Sequence, residues 1–423
     1  MSIIASLTRM WLTRSVQPFI FQNTYDRCLP AAGCRNLGLY IHIPFCSSIC
    51  SFCPYCKILY KKDLYNSYIS ALIKEIHLVG SATQKGTKQA AKKTVTSLYF
   101  GGGTPALAAD RIEEIITAVK EHYKINEGIG IELHPDNVTI PVLNTLKQAG
   151  ITKLSIGIQS FSSKYQKILG RKPVSVQEMA KALQTVSFET VSMDFIFALP
   201  GQTFNDLKSD IDLAFANGAN HIAVYPLIDF TFTTSRIPPM PKRKKRLLLD
   251  QMTAYCQQKG YIRTSIWTFA KDKQAEYSSM IRENFLGFGC SATTLLKNQF
   301  KINTFSVKEY IRRVNSRQLP TSLTIRFTPR QRMVYYLFWS AYGMEVSERA
   351  FEAFFDVPLK KMYGAELQLA KLLGFVTKQG DRYRMTSKGA YYFHYYENFY
   401  TLAYIDKMWG ILRKEAFPDE IRF

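Results

Sequence analysis

The sequence predicts an α/β fold: a partial barrel of six β/α units (38–325), preceded by an arm (1–37) and followed by a smaller α+β region (326–423). Two observations carry this. Short apolar, β-branched runs recur, each followed by apolar residues at helical spacing and with no hairpin signal between units, which implies parallel strands covered by helices. Residues of special chemistry, among them Cys46, Gly101, Glu132, Gln159 and Asp194, fall at the predicted strand ends, where ligands gather in parallel α/β folds. With 423 residues and 47% hydrophobic composition, the chain is long enough for one large core and a second, smaller domain.

Taken in order, the first 23 residues contain Arg9 and Arg14, no acid and several large apolar residues. The apolar stretches are too broken for a secretory signal, so the segment reads as an arm packed on the main domain rather than a targeting or membrane-surface helix. Strand 39–43, a cysteine loop and helix 63–79 make the first unit, and a Lys-rich linker (80–93) leads to strand 95–100. That strand ends in Gly101, Gly102, Gly103 and Thr104, and a helix follows over about 109–123. Strand 129–133 precedes a helix with Pro141 near its start and Gly150 after its end, the usual punctuation. After strand 153–158 comes a short helix before Arg171, then a helix opened by Ser175 and Glu178 at capping-box spacing. Strand 191–197, a helix from near Asn205 ending before Gly218, and strand 221–225 complete six units. From Arg326 the character changes: 327–344 and 357–373 read as helices, followed by a β-wing and a last helix, with Tyr335, Tyr336, Phe338 and Trp339 as core.

The chemistry concentrates in 38–56, GLYIHIPFCSSICSFCPYC. Cys46, Cys50 and Cys53 stand as C-x3-C-x2-C, an odd trio poorly suited to a disulfide framework. It suits a four-iron cluster, which normally takes four thiolates, so that three leave one iron open. Structural zinc wants paired C-x2-C knuckles from two separated segments, and no second pair occurs. The glycine triplet lets backbone approach a ligand closely. Cys28, Cys34, Cys256 and Cys290 are scattered, which fits free thiols in a reducing compartment and a cytoplasmic protein. No run of 18 apolar residues occurs, so no transmembrane helix is expected.

The cysteine spacing, together with the blocks LYIHIPFC, GGGTP, SIGIQSF and ALPGQT in this order over 39–203, resembles the radical S-adenosylmethionine (SAM) enzymes, and among them the HemN/HemW-like proteins. The resemblance implies a three-quarter (β/α)6 barrel with a C-terminal winged-helix-like cap. It implies a [4Fe–4S] cluster on Cys46, Cys50 and Cys53, with SAM chelating the open iron and yielding a 5′-deoxyadenosyl radical on reduction. Gly102, Gly103 and Thr104 would cradle the methionine end of SAM, Glu132 and Asp194 would contact ribose or the methionine portion, Gln159 the ribose, and Arg171 the carboxylate. The backbone of Tyr40 would meet adenine. Cys56 departs from the pattern, standing three residues after Cys53 where coproporphyrinogen dehydrogenases have a fourth Cys two after. It reads either as a buried or loop thiol or as a catalytic group that shields the cluster or handles substrate.

On substrate the signals divide. The R-Y-T-S-Y-P stretch of coproporphyrinogen dehydrogenases does not precede Leu39, and 276–292 lacks the His of the H-N-x-x-Y-W motif of haem chaperones. The stretches SIWTFAK (265–271) and YSSMIRENFLGFGCSA resemble class C radical SAM methyltransferases, which implies a second SAM bordered by Gly287, Gly289 and Ser291; the plain alternative is a tight turn between strand and helix. The expectation is therefore methyl or methylene transfer to an sp2 carbon of an aromatic or tetrapyrrole substrate, with coproporphyrinogen-type oxidative decarboxylation and haem carriage as alternatives. A flavodoxin or ferredoxin would serve as reductant. The net charge of +22 attracts anions, while the basic clusters 85–93 and 242–246 read as solvated faces rather than nucleic-acid sites.

Overall fold

The structure, a computed structural model, describes residues 3–24, 29, 31, 33–84, 92–235, 237–273 and 283–423. Six strands form the predicted parallel run: β1 (Leu37–Ile43), β2 (Leu98–Gly102), β3 (Ile129–Leu133), β4 (Lys153–Gln159), β5 (Thr190–Phe197) and β6 (His221–Pro226). They lie side by side in chain order, each parallel to the next. Nearly every residue of β1 and β5 is buried, as expected of strands covered on both faces. Strand Asn284–Phe288 joins the free side of β1, also parallel, and antiparallel strands continue the sheet beyond it. The sheet remains open, which makes this a partial barrel.

Several local expectations are corrected. The strand expected over 95–100 is two pieces: Lys93–Val95 pairs with Tyr123–Ile125 in a separate small sheet, and only Leu98–Gly102 enters the barrel. The backbone bends at Thr96, and the carbonyl of the next residue, Ser97, accepts from Leu39 N. The first helix runs beyond 79, over Lys62–Gln84, and Gly80 within it is required by close packing, because a Cβ there would lie 2.3 Å from the His122 ring. The linker residues 85–91 lie outside the described residues. A 3-10 turn, Pro105–Arg111, precedes helix Ile112–His122 where one helix was expected. Ser175 stands at the N-cap of Val176–Thr185 but makes no capping hydrogen bond; reciprocal boxes form instead at Thr203 with Asp206 and at Thr328 with Gln331. The glycine-rich turn after Asn284–Phe288 leads to strand Thr293–Leu295, not to a helix.

The C-terminal region has winged-helix order: helix Pro329–Tyr342, strand Glu345–Ser347, helices Glu348–Phe355 and Leu359–Leu372, and the hairpin Val376–Gln379/Arg382–Met385, whose strands complete a three-stranded sheet. Met333, Tyr336, Phe351, Leu359, Tyr363 and Tyr383 give it a core of its own. The N-terminal arm binds two places. Its strand Ile20–Gln22 lies in the main sheet between Thr321–Arg326 and the C-terminal Glu420–Arg422. Its helix Ile3–Thr13 packs instead on the C-terminal region, where Trp11 Nε1 donates to Glu366 at 3.0 Å and Tyr363 OH to Leu12 O at 3.2 Å. No described helix is long and apolar enough to cross a membrane.

Candidate active site

The cysteine loop leaves the end of β1 and is pinned at its neck. Phe45–Cys46 pairs with Ile58–Leu59, Ile58 N donates to Pro44 O at 2.7 Å, and Tyr60 N to Cys46 O at 2.9 Å. Phe45 is fully buried edge-on against Tyr65 and Tyr68 of helix Lys62–Gln84, so the aromatic residue before the first cysteine anchors the loop in the core. Cys46 is buried, whereas Cys50 and Cys53 are half-buried. Burial pushes the Cys46 thiol up to about 11 and raises that of Cys50; the positive charge of bound iron is what would make them thiolates.

The glycine turn at the end of β2 docks directly on this neck. Gly103 N donates to Ile43 O at 2.9 Å, Thr104 N to Phe45 O at 2.8 Å, and Thr104 Oγ1 to Cys46 Sγ at 3.8 Å. A Cβ on Gly103 would stand 2.9 Å from Cys46 Sγ, one on Gly101 3.0 Å from Glu132 Oε1, and Gly102 holds φ at +125°, so each glycine of the triplet has a separate steric reason. The site fits an iron–sulfur group: three thiols on one pinned loop, with bare backbone alongside the first.

Two desolvated carboxylates share the mouth. Glu132 on β3 accepts from Tyr99 OH at 3.0 Å and from Gly102 N at 3.1 Å, and burial, with the nearby Asp194 charge, pushes it up to about 7. Asp194 on β5 accepts from Ser155 at 2.7 Å and Ser192 at 3.2 Å, and burial pushes it up to about 6. Their partners are hydroxyls and an amide, so the ionised forms gain hydrogen bonds but no opposite charge from them; a cation entering here would be stabilised. Arg171 donates to Gly157 O at 2.6 Å, and burial lowers its pKa from the ordinary guanidinium value. Gln159, at the end of β4, takes the left-handed conformation (φ 70°), and its amide lies over Gly157, where a Cβ would come within 2.9 Å of Nε2. Cys46, Gly101–Thr104, Glu132, Gln159 and Arg171 thus fall at or beyond one end of the parallel strands, whereas Asp194, expected at a strand end, lies within β5, three residues before its end.

Tyr40 lies on β1, six residues before Cys46. Its backbone lies within the sheet, in register with Tyr99 on one side and Gly287 on the other, and its hydroxyl meets His42 Nδ1 at 3.0 Å. Cys56 is buried, with its Sγ 4.0 Å from Cys290 Sγ. Gly287 and Gly289 serve packing, since Cβ atoms would stand 2.1 Å from Thr293 O and 2.5 Å from His42 O respectively. The sequence reading missed the groups that orient the carboxylates, Tyr99, Ser155 and Ser192, which strand periodicity alone could have put on the same face. It also missed an aromatic wall beside the cysteine loop: Trp409 lies 6.1 Å from Tyr55, 6.4 Å from Phe230 and 6.0 Å from Phe305, and the Arg413 guanidinium sits 4.6 Å over Phe232 and donates to Pro54 O.

Comparison with known proteins agrees with this arrangement. A profile for the Radical SAM superfamily matches residues 40–214. The chain is 26% identical over 368 residues to the "Heme chaperone HemW" of Lactococcus lactis, covering 83% of this chain and 93% of that one. It is 24% identical over 316 residues to the "Oxygen-independent coproporphyrinogen III oxidase" of Pseudomonas aeruginosa, covering 67% and 66%. The solved coproporphyrinogen III oxidase (HemN) of Escherichia coli superposes with a TM-score of 0.74 at 21% identity, over 92% of this chain and 96% of that one, a likeness of fold.

Proposed function

Since residues 40–214 form a radical SAM domain, a class that works with a [4Fe–4S] cluster and SAM, we propose that this chain cleaves SAM reductively and acts on a tetrapyrrole-class substrate. The observation that carries the reading is the three-cysteine loop set at the same mouth as two desolvated carboxylates, Glu132 on β3 and Asp194 on β5, with β4 between them. Cys46, Cys50 and Cys53 would hold the cluster, which supplies the electron that breaks a C–S bond of SAM to give a 5′-deoxyadenosyl radical.

The chain's own residues do the positioning. Gly102, Gly103 and Thr104 offer backbone against the amino end of SAM, Arg171 meets its carboxylate, and Glu132, Gln159 and Asp194 face its ribose and cationic portions. The carboxylates ionise as the cation enters, and burial of the mouth strengthens that attraction. The helix Asp406–Leu412 carries Trp409 beside the cysteine loop, and the carboxylate of Asp406 accepts from both Thr231 N and Thr231 Oγ1 at 2.8 Å, fixing this helix to the barrel. Flat rings next to a guanidinium suit a planar, carboxylated macrocycle. The relatives named for haem and coproporphyrinogen support the same substrate class. A flavodoxin or ferredoxin would be the electron donor.

Methyl or methylene transfer is the finer reading of the chemistry, and its products distinguish it. It consumes a second SAM and releases S-adenosylhomocysteine beside 5′-deoxyadenosine, whereas oxidative decarboxylation releases no S-adenosylhomocysteine. The test is an anaerobic incubation of reconstituted protein with SAM, reductant and either coproporphyrinogen or haem, read by mass spectrometry. Substrate-stimulated deoxyadenosine supports the proposal. Tight haem binding with no SAM consumption under any substrate would replace it with haem carriage.

A further inference from the structure

Beside the mouth lies a second group of ligand-type side chains. His42, Cys56 and Cys290 come from the end of β1, from the far end of the cysteine loop and from the turn after Asn284–Phe288. All three are buried, and their ligand atoms lie within 4.8 Å of one another. We propose that they form a mononuclear zinc site, separate from the three cysteines of the loop.

Geometry and anchoring both favour it. Tetrahedral zinc with Zn–S bonds of about 2.3 Å holds two sulfurs about 3.8 Å apart, and the observed separation of Cys56 Sγ and Cys290 Sγ is 4.0 Å. A disulfide would need about 2.05 Å and an oxidant. His42 presents Nε2 to this space while Nδ1 is held by Tyr40 OH at 3.0 Å, the division of labour that orients a metal-binding imidazole. The backbone at each side is fixed as well: Tyr68 OH donates to His42 O at 2.7 Å and accepts from Cys290 N at 3.0 Å, and Gly289 N donates to Glu75 at 2.7 Å. Ser291, held at φ 56°, places its hydroxyl 3.3 Å from His42 Nε2 and borders the fourth position.

On binding, each S–Zn bond forms as a thiol proton leaves to solvent, and His42 Nε2 exchanges its 2.9 Å contact with Cys56 O for the metal. Two thiolates and a neutral imidazole leave the zinc site uncharged, which suits its burial. The ion would tie the far end of the cysteine loop to the sheet.

The test uses the full-length protein, purified anaerobically, reconstituted with iron and sulfide, supplied with zinc and exchanged into metal-free buffer. The expected result is a single tightly held zinc per chain. Cys290→Ser should lose that zinc and keep its iron; Cys50→Ser should lose iron and keep the zinc. Zinc-edge X-ray absorption of the wild-type protein needs no variant to fold, and should show two sulfur neighbours at about 2.3 Å and a nitrogen at about 2.0 Å. Zinc that is not retained, zinc lost with Cys50→Ser but kept by Cys290→Ser, or a Cys56–Cys290 disulfide in a non-reduced peptide map would each overturn the proposal.

Discussion

Glu132 and Asp194 are the residues whose chemistry is most exposed to test. Burial raises both, to about 7 and about 6, so the free protein holds protons there that a cationic ligand would expel. SAM affinity should therefore rise as pH increases through 6 to 7 and level off above, and calorimetric titration across that range checks it. Glu132→Gln removes the charge while keeping an acceptor for Tyr99 OH. The loss of a charge-assisted contact, about 1.5–3 kcal/mol, should weaken SAM binding by roughly tenfold or more and flatten the upper part of the profile. Without SAM the sign reverses for stability: a carboxyl raised by burial takes up protons on folding, so its contribution is best below the unfolded pKa and is lost as pH climbs through the folded one. Glu132→Gln should accordingly melt no lower than wild type at pH 8. These two carboxylates were legible in the sequence as acids within apolar strand runs, Glu132 one residue and Asp194 three residues before the end of its strand. The desolvation that tunes them was not, since it depends on how the mouth closes around them.

Among the elements, helix Lys62–Gln84 does more than cover the sheet. It carries Glu75, fully buried, whose carboxylate accepts from Gly289 N, Tyr310 OH at 2.7 Å and Asn303 Nδ2 at 3.1 Å, with the Lys301 charge nearby. This one side chain joins the first β/α unit to the glycine-rich turn and to strand Gln299–Asn303. Glu75→Ala leaves several buried donors unsatisfied and should cost about 3 kcal/mol, seen as a lowered denaturation midpoint, whereas Glu75→Gln should cost less. The six parallel strands were readable from apolar runs, and the winged-helix order from the two helical stretches and the hairpin. The split at Thr96 and Ser97 was not readable, because 93–102 is continuously strand-like and only the pairing of Lys93–Val95 with Tyr123–Ile125 divides it. The Ser175 spacing illustrates the converse, since a capping box needs the right side-chain rotamers as well as the right residues three apart.

At the scale of the molecule, the two ends of the chain complete one sheet. Phe19 and Phe423 exchange backbone hydrogen bonds at 3.0 Å, and Asn23 N donates to Asp419 O at 2.9 Å, so the arm sits between Thr321–Arg326 and the C-terminal strand. Removing residues 1–24 should release Glu420–Arg422 and bare the edge of Thr321–Arg326, giving a lower melting temperature and self-association by light scattering. The same closure brings Trp409 and Arg413 against the cysteine loop, a juxtaposition of residues more than 350 apart that no local pattern could announce. All of this geometry serves the proposal that Cys46, Cys50 and Cys53 hold a cluster able to reduce SAM. The most direct measurement is the yield of 5′-deoxyadenosine from anaerobically reconstituted protein with SAM and a strong reductant, for wild type and for each cysteine changed singly to Ala. Production by wild type and loss in all three variants is the expected result; no deoxyadenosine from cluster-loaded wild type, or full yield from any of the three variants, would contradict it.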